Sequence, residues 1–311
     1  MQKNTALFLS LFLFFSFSAA FAQSNQLAIT FDDLIFANEL SLQHSVENTE
    51  KLMAVLKKNQ VPVIGFVNES TLYKKPGEVD KRIGLLETWL ANGHWIGNHT
   101  YSHPSFNVAS LEEYKADFLK GEKVSKVLAK KYNSPLRYFR HPFLQTGSDS
   151  LKKYGFNRFL TEKGYQIAPV TLDNEDYIFN RVYQNAYRAG DKPKMEMVVN
   201  AYLTYLNELF DYSEKLAFLL EKRPIRHVFL CHINLLNCHH FDKVLALMKN
   251  RNYGFITLEE ALKDPVYQRE ELYVGKGGFS WLHRWRITQK LAFKDPEPVI
   301  PEEIMRLYNL K

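Results

Sequence analysis

Residues 27–33 read Leu-Ala-Ile-Thr-Phe-Asp-Asp, an apolar, β-branched run that stops at two adjacent carboxylates. Such a run is typical of a strand buried on both faces, as in the parallel sheets of α/β proteins. Similar runs recur at 61–67, 95–97, 137–140, 227–231 and 254–258. Segments of helical period separate them, at 46–56, 79–91, 110–130 and 241–249. This alternation predicts βα units and a parallel sheet, either open or closed into a barrel.

Two regions interrupt the alternation. Residues 178–223 show only helical periodicity, and the turn Gly190-Asp191-Lys192-Pro193 predicts that a second helix starts within them. Residues 266–311 form a tail that contains the glycine-rich stretch 275–278. We therefore predict a main domain over 23–265 with a helical insertion at 178–223, followed by a C-terminal extension. We expect the insertion to pack over the sheet and to shape the entrance to a site.

The N-terminus has the features of an export signal. Lys3 precedes an apolar run from Ala6 to Phe17, and Ala20-Phe21-Ala22 matches the small-x-small pattern of a cleavage site. We predict that residues 1–22 are a signal peptide, that the mature chain begins at Gln23, and that it is periplasmic or secreted. An uncleaved anchor is the alternative, although the run is shorter than the roughly 20 residues of a spanning helix. After cleavage we expect no stable membrane span.

Charge and cysteine content argue against two classes of protein, those that bind nucleic acid and those held together by disulfides. The net charge of the 311-residue chain is +6, and it is not gathered into runs, which favours solubility over binding to nucleic acid. A modest positive surplus is compatible with an anionic glycan. Only two cysteines occur, Cys231 and Cys238, so the chain is no disulfide scaffold. Either one disulfide or two separate buried thiols is compatible with the sequence.

Asp32 and Asp33 are the first candidate site residues. Two adjacent carboxylates after an apolar strand raise each other's pKa unless something neutralises them. A metal ion would do so, with one aspartate as a ligand and the other as a base. The alternative is an ordinary Asx turn or a helix N-cap after the strand.

Histidines and an arginine follow other predicted strands. His99 and His103 have i, i+4 spacing, which would bring both imidazoles to one side of a helical turn, as a divalent metal requires. Arg140 and His232 also stand at predicted strand ends. Their alternatives are a surface ion-pair partner and a structural edge histidine. Because active sites of parallel α/β proteins gather at the carboxyl ends of the strands, these positions together predict one site.

The motifs Thr30-Phe31-Asp32-Asp33, His99-x-x-x-His103, Arg140-His-Pro-Phe143 and Leu230-Cys-His232, in this order, resemble the polysaccharide deacetylase family of carbohydrate esterases. The resemblance covers about residues 27–262. It implies an α/β fold of parallel strands, a distorted, incomplete (β/α) barrel. It also implies one divalent metal ion, usually zinc and sometimes cobalt or nickel.

The resemblance also implies roles for individual residues. Three would be metal ligands, namely Asp33, His99 and His103. Asp32 would be the general base, Arg140 would orient Asp32, and His232 would be the general acid.

The fourth motif of the family departs from its usual form. It most resembles Leu172-Asp-Asn-Glu-Asp-Tyr177, so that either Asp173 or Asp176 would hold His232, but Tyr177 replaces the usual tryptophan. Leu34 and Ile35 also replace the glycine and proline that usually follow the aspartate pair. These departures affect the expected substrate more than the expected metal site.

The function implied is metal-dependent removal of acetyl groups from an N-acetylated glycan, either peptidoglycan or a chitin-like polymer. The glycan would be the partner, with no nucleic acid. One alternative is an O-acetyl esterase acting on xylan or another acetylated polysaccharide. Another is a catalytically silent glycan-binding protein on the same fold. Trp281 and Trp285 have i, i+4 spacing and would form either a sugar platform or one buried helical face.

Overall fold

The computed structural model describes residues 25–35, 41–73 and 79–310. The predicted signal peptide and its cleavage site lie outside these residues. Within them, every helix is too short or too polar to cross a bilayer.

The strands form one sheet in which every pair is parallel. They are β1 (Asn25–Leu34), β2 (Val63–Val67), β3 (Trp95–Asn98), β4 (Tyr138–Phe139), β5 (Gln166–Ile167), β6 (Leu172–Asp173), β7 (Arg226–His232) and β8 (Tyr253–Ile256). Their order is β5-β4-β3-β2-β1-β7-β6, and β8 pairs with the first four residues of β1. The sheet curls into a half-barrel whose path ends at β5 and β6, which confirms the predicted distorted, incomplete (β/α) barrel.

Helices cover the outside of the sheet and fill the two regions that lack strands. They are α1 (Leu42–Asn59), α2 (Val79–Ala91), α3 (Leu111–Lys120), α4 (Lys123–Lys131), α5 (Ser150–Glu162), α6 (Asp176–Ala189), α7 (Lys192–Glu221), α8 (Leu235–Asn250), α9 (Leu258–Ala261), α10 (Trp281–Thr288) and α11 (Glu302–Asn309).

β1 is the central strand, and its side chains alternate between two environments. Leu27, Ile29 and Phe31 are buried in the large apolar cluster that includes residues of α1, α2 and α8. Ala28 faces the barrel interior, where it packs in a second apolar cluster with residues of β2, β4 and β7. Because Asp32 shares the parity of Ala28, its carboxyl group is directed to the interior at the carboxyl end of the strand.

Two helices occupy the region where no strand was predicted. Gly190 ends α6 with φ +69°, a left-handed conformation that glycine adopts without strain. Asp191 then accepts a hydrogen bond from the Lys194 amide and caps α7, whose second residue is Pro193. The predicted turn is confirmed, and α6 and α7 pack against each other.

Several predicted boundaries were wrong. The single helix expected over 110–130 is two helices separated by Gly121 and Glu122, where a Cβ on Gly121 would collide with the backbone of Thr100. The helix expected over 241–249 begins earlier, at Leu235, where the side chain of Asn234 caps it. The strand expected over 137–140 has only two residues, and β5 was not predicted, since two-residue strands leave no periodicity to detect.

The tail after residue 265 is anchored on the barrel. Trp281 and Trp285 are buried in an apolar cluster with residues of α7, so they form a buried helical face and no exposed sugar platform. Arg284 is also buried and donates hydrogen bonds to the carbonyl oxygens of Leu144 and Phe279.

The two cysteines are both buried and are not joined by a disulfide. The Cys231 thiol lies 3.4 Å from the carbonyl oxygen of Thr30, to which it donates a weak hydrogen bond. Of the two alternatives left open by the sequence, the separate buried thiols are the ones observed.

A substitution of Lys153 on α5 tests how the tail after residue 265 is held to the barrel. Its side chain is 2% exposed, and its ammonium group donates to the Glu271 carboxylate at 2.8 Å and to the carbonyl oxygens of Glu271 and Tyr273. Lys153→Met leaves these acceptors unpaired, and we expect a loss of about 3–5 kcal/mol in the free energy of unfolding. Urea denaturation measures it, with the exposed Lys163→Met as the control. A loss as small as the control's would contradict this account.

Candidate active site

A cavity of about 1000 Å³ opens at the carboxyl ends of the strands. It is the place where catalytic residues of parallel barrels are expected. Its lining includes most of the predicted site residues, namely Asp32, Asp33, His99, His103, Asp173 and His232. The strand ends of β1, β3, β6 and β7 therefore bring together side chains that lie up to about 200 positions apart in the sequence.

A bulge at the end of β1 orients the two aspartates. The register with β2 shifts between Phe31 and Leu34, and Asp33 has φ +56°. In a regular strand, adjacent side chains point to opposite faces, whereas a bulge redirects one of them. As a result, a carboxylate oxygen of Asp32 and one of Asp33 lie 3.8 and 3.7 Å from the same nitrogen, Nε2 of His99.

His99 and His103 converge, but the helical turn expected between them is wrong. The segment is a loop in which Thr100 and His103 have positive φ angles of 67° and 56°. Side chains replace the helical hydrogen bonds: Asn98 accepts from the Thr100 amide, and the Thr100 hydroxyl accepts from the His103 amide. The Asp117 carboxylate on α3 accepts hydrogen bonds from the backbone amides of Tyr101 and Ser102. The ring centroids of the histidines lie 4.9 Å apart.

Asp33, His99 and His103 form a set that can hold a metal ion. One potential ligand atom from each lies within 4.8 Å of the other two. Nδ1 of His99 lies 2.8 Å from the carbonyl oxygen of Arg140, so Nδ1 carries the proton and Nε2 presents its lone pair to the set. Burial lowers the pKa of both histidines, which keeps the rings neutral, as ligation requires. Two imidazoles and one carboxylate fit zinc, cobalt or nickel.

Arg140 is completely buried behind this set. Its guanidinium donates to the Asp32 carboxylate at 3.3 Å, to the Thr30 hydroxyl at 3.0 Å and to the Ala168 carbonyl at 2.9 Å. It also lies over the ring of Phe66, with 4.7 Å to the centroid. The surface ion pair considered for this residue is therefore wrong, and Arg140 positions Asp32 from inside the barrel.

Asp32 is a buried carboxylate that opens only toward the cavity. Burial raises the pKa of Asp32 to about 6, because loss of solvation outweighs the opposing charge of Arg140. A carboxyl group with a pKa near the working pH exchanges a proton more readily than an ordinary surface aspartate. The side chain of Asp32 is 4% exposed, whereas that of its neighbour Asp33 is 35% exposed.

His232 at the end of β7 is held by Asp176. Nδ1 of the ring lies 2.6 Å from one carboxylate oxygen, and the backbone amide of His232 donates to the other at 2.8 Å. Asn234 and Asn237 also donate to Asp176, which is the fully buried first residue of α6. Burial opposes the charged imidazolium, but the Asp176 carboxylate together with the nearby charges of Asp33 and Asp32 outweighs burial and raises the pKa of His232 to about 10.

The structure thus decides between the two aspartates of the fourth motif. Asp176 holds His232, whereas Asp173 lines the cavity without a hydrogen bond from any described side chain to its carboxyl group. Burial and the nearby charge of Glu175 raise the pKa of Asp173 to about 7.

Several cavity residues were missed in the sequence. Phe143 is exposed and lies 4.4 Å from the ring of His103, and Tyr177 lies 6.1 Å from the ring of His232. One face of α6 and the C-terminal residues Tyr308 and Leu310 complete the wall. The insertion therefore shapes the cavity through α6, while no described side chain of α7 lines it. Polar residues at helical spacing along α6 were the available signal.

Residues 22–159 match the family model described as polysaccharide deacetylase. A peptidoglycan-N-acetylglucosamine deacetylase of Bacillus cereus is 28% identical over 181 residues, which are 56% of each chain. A chitin deacetylase of Colletotrichum lindemuthianum is 23% identical over 214 residues, 66% of this chain and 78% of the relative. The present chain thus spans little more than half the length of the bacterial relative.

Solved structures agree with the fold. The crystal structure of a polysaccharide deacetylase of Bacillus cereus matches with a TM-score of 0.51 and 19% sequence identity, over 75% of this chain and 91% of that chain. At this identity the likeness concerns the fold alone.

A substitution at Gly121 tests what supports the histidine loop, residues 99–103. A Cβ at this position would lie 2.3 Å from the carbonyl carbon of Thr100, between the two histidines. Gly121→Ala should displace the loop and weaken Zn²⁺ binding at least about tenfold, since ligand placement sets metal affinity. Isothermal titration measures this, with His99→Ala as the reference for a lost ligand.

Gly84→Ala is the matched control, because a Cβ at Gly84 in α2 meets nothing within 4 Å. It should leave Zn²⁺ affinity unchanged and raise stability by up to about 1 kcal/mol through helix propensity. Unchanged Zn²⁺ affinity in Gly121→Ala would show that the loop does not depend on this contact.

Proposed function

We propose that this chain, which carries a polysaccharide deacetylase domain, is a metal-dependent hydrolase that removes acetyl groups from an N-acetylated glycan of the peptidoglycan or chitin type. The observation that carries the proposal is the arrangement in one cavity. A carboxylate held by a buried arginine and a histidine held by a buried carboxylate both line the cavity that contains the Asp-His-His set. The two relatives are named as deacetylases of peptidoglycan N-acetylglucosamine and of chitin, which supports the same reaction here.

Asp33, His99 and His103 would hold the metal ion, and we propose zinc, with cobalt or nickel as alternatives. When bound, such an ion supplies Lewis acidity that polarises the acetyl carbonyl and lowers the pKa of water.

Asp32 acts as the general base. Its carboxylate removes a proton from the attacking water, and the fixed guanidinium of Arg140 keeps it directed into the cavity. Thr30 and Ala168 hold the other side of that guanidinium, so Arg140 cannot follow Asp32 if the carboxylate moves. In this proposal Asp32 accepts the proton of the attacking water, and Asp33 is a ligand of the metal ion.

His232 acts as the general acid. The Asp176 carboxylate stabilises the imidazolium through Nδ1, which leaves Nε2–H free to protonate the departing nitrogen as the C–N bond breaks. The pKa of about 10 means that His232 is charged at neutral pH and ready to donate.

The signal predicted over residues 1–22 supports an exported enzyme, periplasmic or secreted, that meets its glycan outside the cytoplasm. Burying the charges of Arg140 and Asp32 costs desolvation free energy, and a glycan-binding protein without activity would have no need of such a buried pair.

Acetate release tests the proposal directly. We expect acetate from N-acetylated chitooligosaccharides or peptidoglycan strands, lost on chelation and restored by Zn²⁺, with little from acetylated xylan. Release from xylan alone would make the protein an O-acetyl esterase, and release from none, at full metal loading, would leave a binding protein.

The role of His232 is tested with two leaving groups. An amine must be protonated as it departs, whereas a nitrophenolate leaves without help. His232→Ala should therefore lose roughly 10²- to 10⁴-fold in kcat on a glycan amide and much less on nitrophenyl acetate. Asp32→Asn should lower both rates alike. Equal losses for His232→Ala on both substrates would assign this histidine a structural role only.

Asp176→Asn is the companion variant. Without the carboxylate charge, burial lowers the pKa of His232, so the acid loses its proton at lower pH. The high-pH limit of kcat/KM on the glycan should therefore move downward, with no such shift on nitrophenyl acetate. An unmoved limit would show that another group donates the proton.

A further inference from the structure

One wall of the cavity lies beyond the reacting residues and is made by α6. Arg181, Gln184, Asn185 and Arg188 all line the cavity from this helix. Their i, i+3, i+4, i+7 spacing places them on one face, and the two arginines lie about 10 Å apart along the axis. The opposite face, which includes Phe179 and Val182, is buried in the core.

The two guanidinium groups have no acidic partner within the described part of the chain. Both arginines are exposed, and neither forms an ion pair with any described carboxylate. Arg181 lies over the ring of Tyr308, with 4.9 Å to the centroid, which restricts where its guanidinium can point. Positive charge is therefore held at the cavity wall without neutralisation from the described residues.

The charge of the cavity changes sign along its length. The end nearest His232 contains Asp173 and Glu175, whereas Arg181 and Arg188 follow about 7 and 18 Å further along the α6 axis from Asp176. A neutral polymer gains little from such a wall, whereas a polymer with carboxylates at intervals gains charge-assisted hydrogen bonds from it. Guanidinium groups form bidentate hydrogen bonds with carboxylates, and an uncharged sugar has no carboxylate to accept them.

We infer that the arginine face of α6 binds carboxylate groups on the sugars that flank the acetylated one. The substrate is then an acidic N-acetylated glycan, and α6 determines this preference. The inference rests on the proposed function, since it assigns a substrate class to the same cavity.

The test compares one glycan in two charge states. Peptidoglycan strands freed of their stem peptides, so that the lactyl carboxylates of the sugars are exposed, are assayed beside the same strands after carbodiimide amidation, which neutralises the carboxylates and keeps the N-acetyl groups. We expect kcat/KM to be about tenfold higher on the acidic strands at low ionic strength. The difference should shrink at 0.5 M salt, because both arginines are exposed and salt screens such charges.

Arg181→Gln/Arg188→Gln should lose most of the difference between the two glycans. Lys130→Gln/Arg158→Gln is the matched control, since it removes the same charge from two exposed residues outside the cavity lining. The control should keep both the rate and the preference of the wild type.

The outcomes separate this inference from the proposed function. Equal kcat/KM on both glycans in the wild type, or a preference that survives in the α6 variant, overturns the inference and leaves deacetylation standing. Acetate release from neither glycan, nor from a neutral chitooligosaccharide, overturns the proposed function itself. Loss of preference in the control variant as well would assign it to overall charge and reject the α6 face.

Discussion

The buried charge of Arg140 is the constraint on which the site depends. A guanidinium inside a barrel is tolerated only if its donors are paired, and the partners here are Asp32, Thr30 and the Ala168 carbonyl. The carbonyl of Arg140 meanwhile fixes the ring of His99. Arg140, which directly follows β4, thus orients both Asp32 on β1 and His99, which directly follows β3. Its removal would leave Asp32 as an uncompensated buried charge and free the imidazole.

Local backbone irregularities do the remaining positioning. The bulge at Asp33 brings two neighbouring carboxylates to one side of the strand, and positive φ angles at Thr100 and His103 bring two imidazoles together without a helix. Each of these conformations costs of order 1–3 kcal/mol. The side chains of Asn98 and Asp117 accept hydrogen bonds from the backbone amides of this loop, and these bonds, with the close packing of Gly121, offset that cost.

Helix α6 connects the residue that holds His232 to one wall of the cavity. The first residue of α6, Asp176, holds His232, and the exposed face of the same helix forms the cavity wall with its two arginines. The helix keeps Asp176 and the two arginines at a fixed separation. The apolar face of α6 packs on α7, so the long second helix of the insertion supports the first, although no described α7 side chain lines the cavity.

The sequence alone determined the parallel α/β architecture, because buried β-branched runs alternating with helical periods have few other solutions. It also determined which residues meet, since polar side chains after such strands gather at one edge of the sheet. Only the tertiary structure decided between Asp173 and Asp176, separated the two cysteines and replaced the expected helical turn at His99 with a loop. Those outcomes depend on a bulge, on α6 and on the Thr100–Gly121 contact, and such long-range packing leaves no periodic trace in the chain.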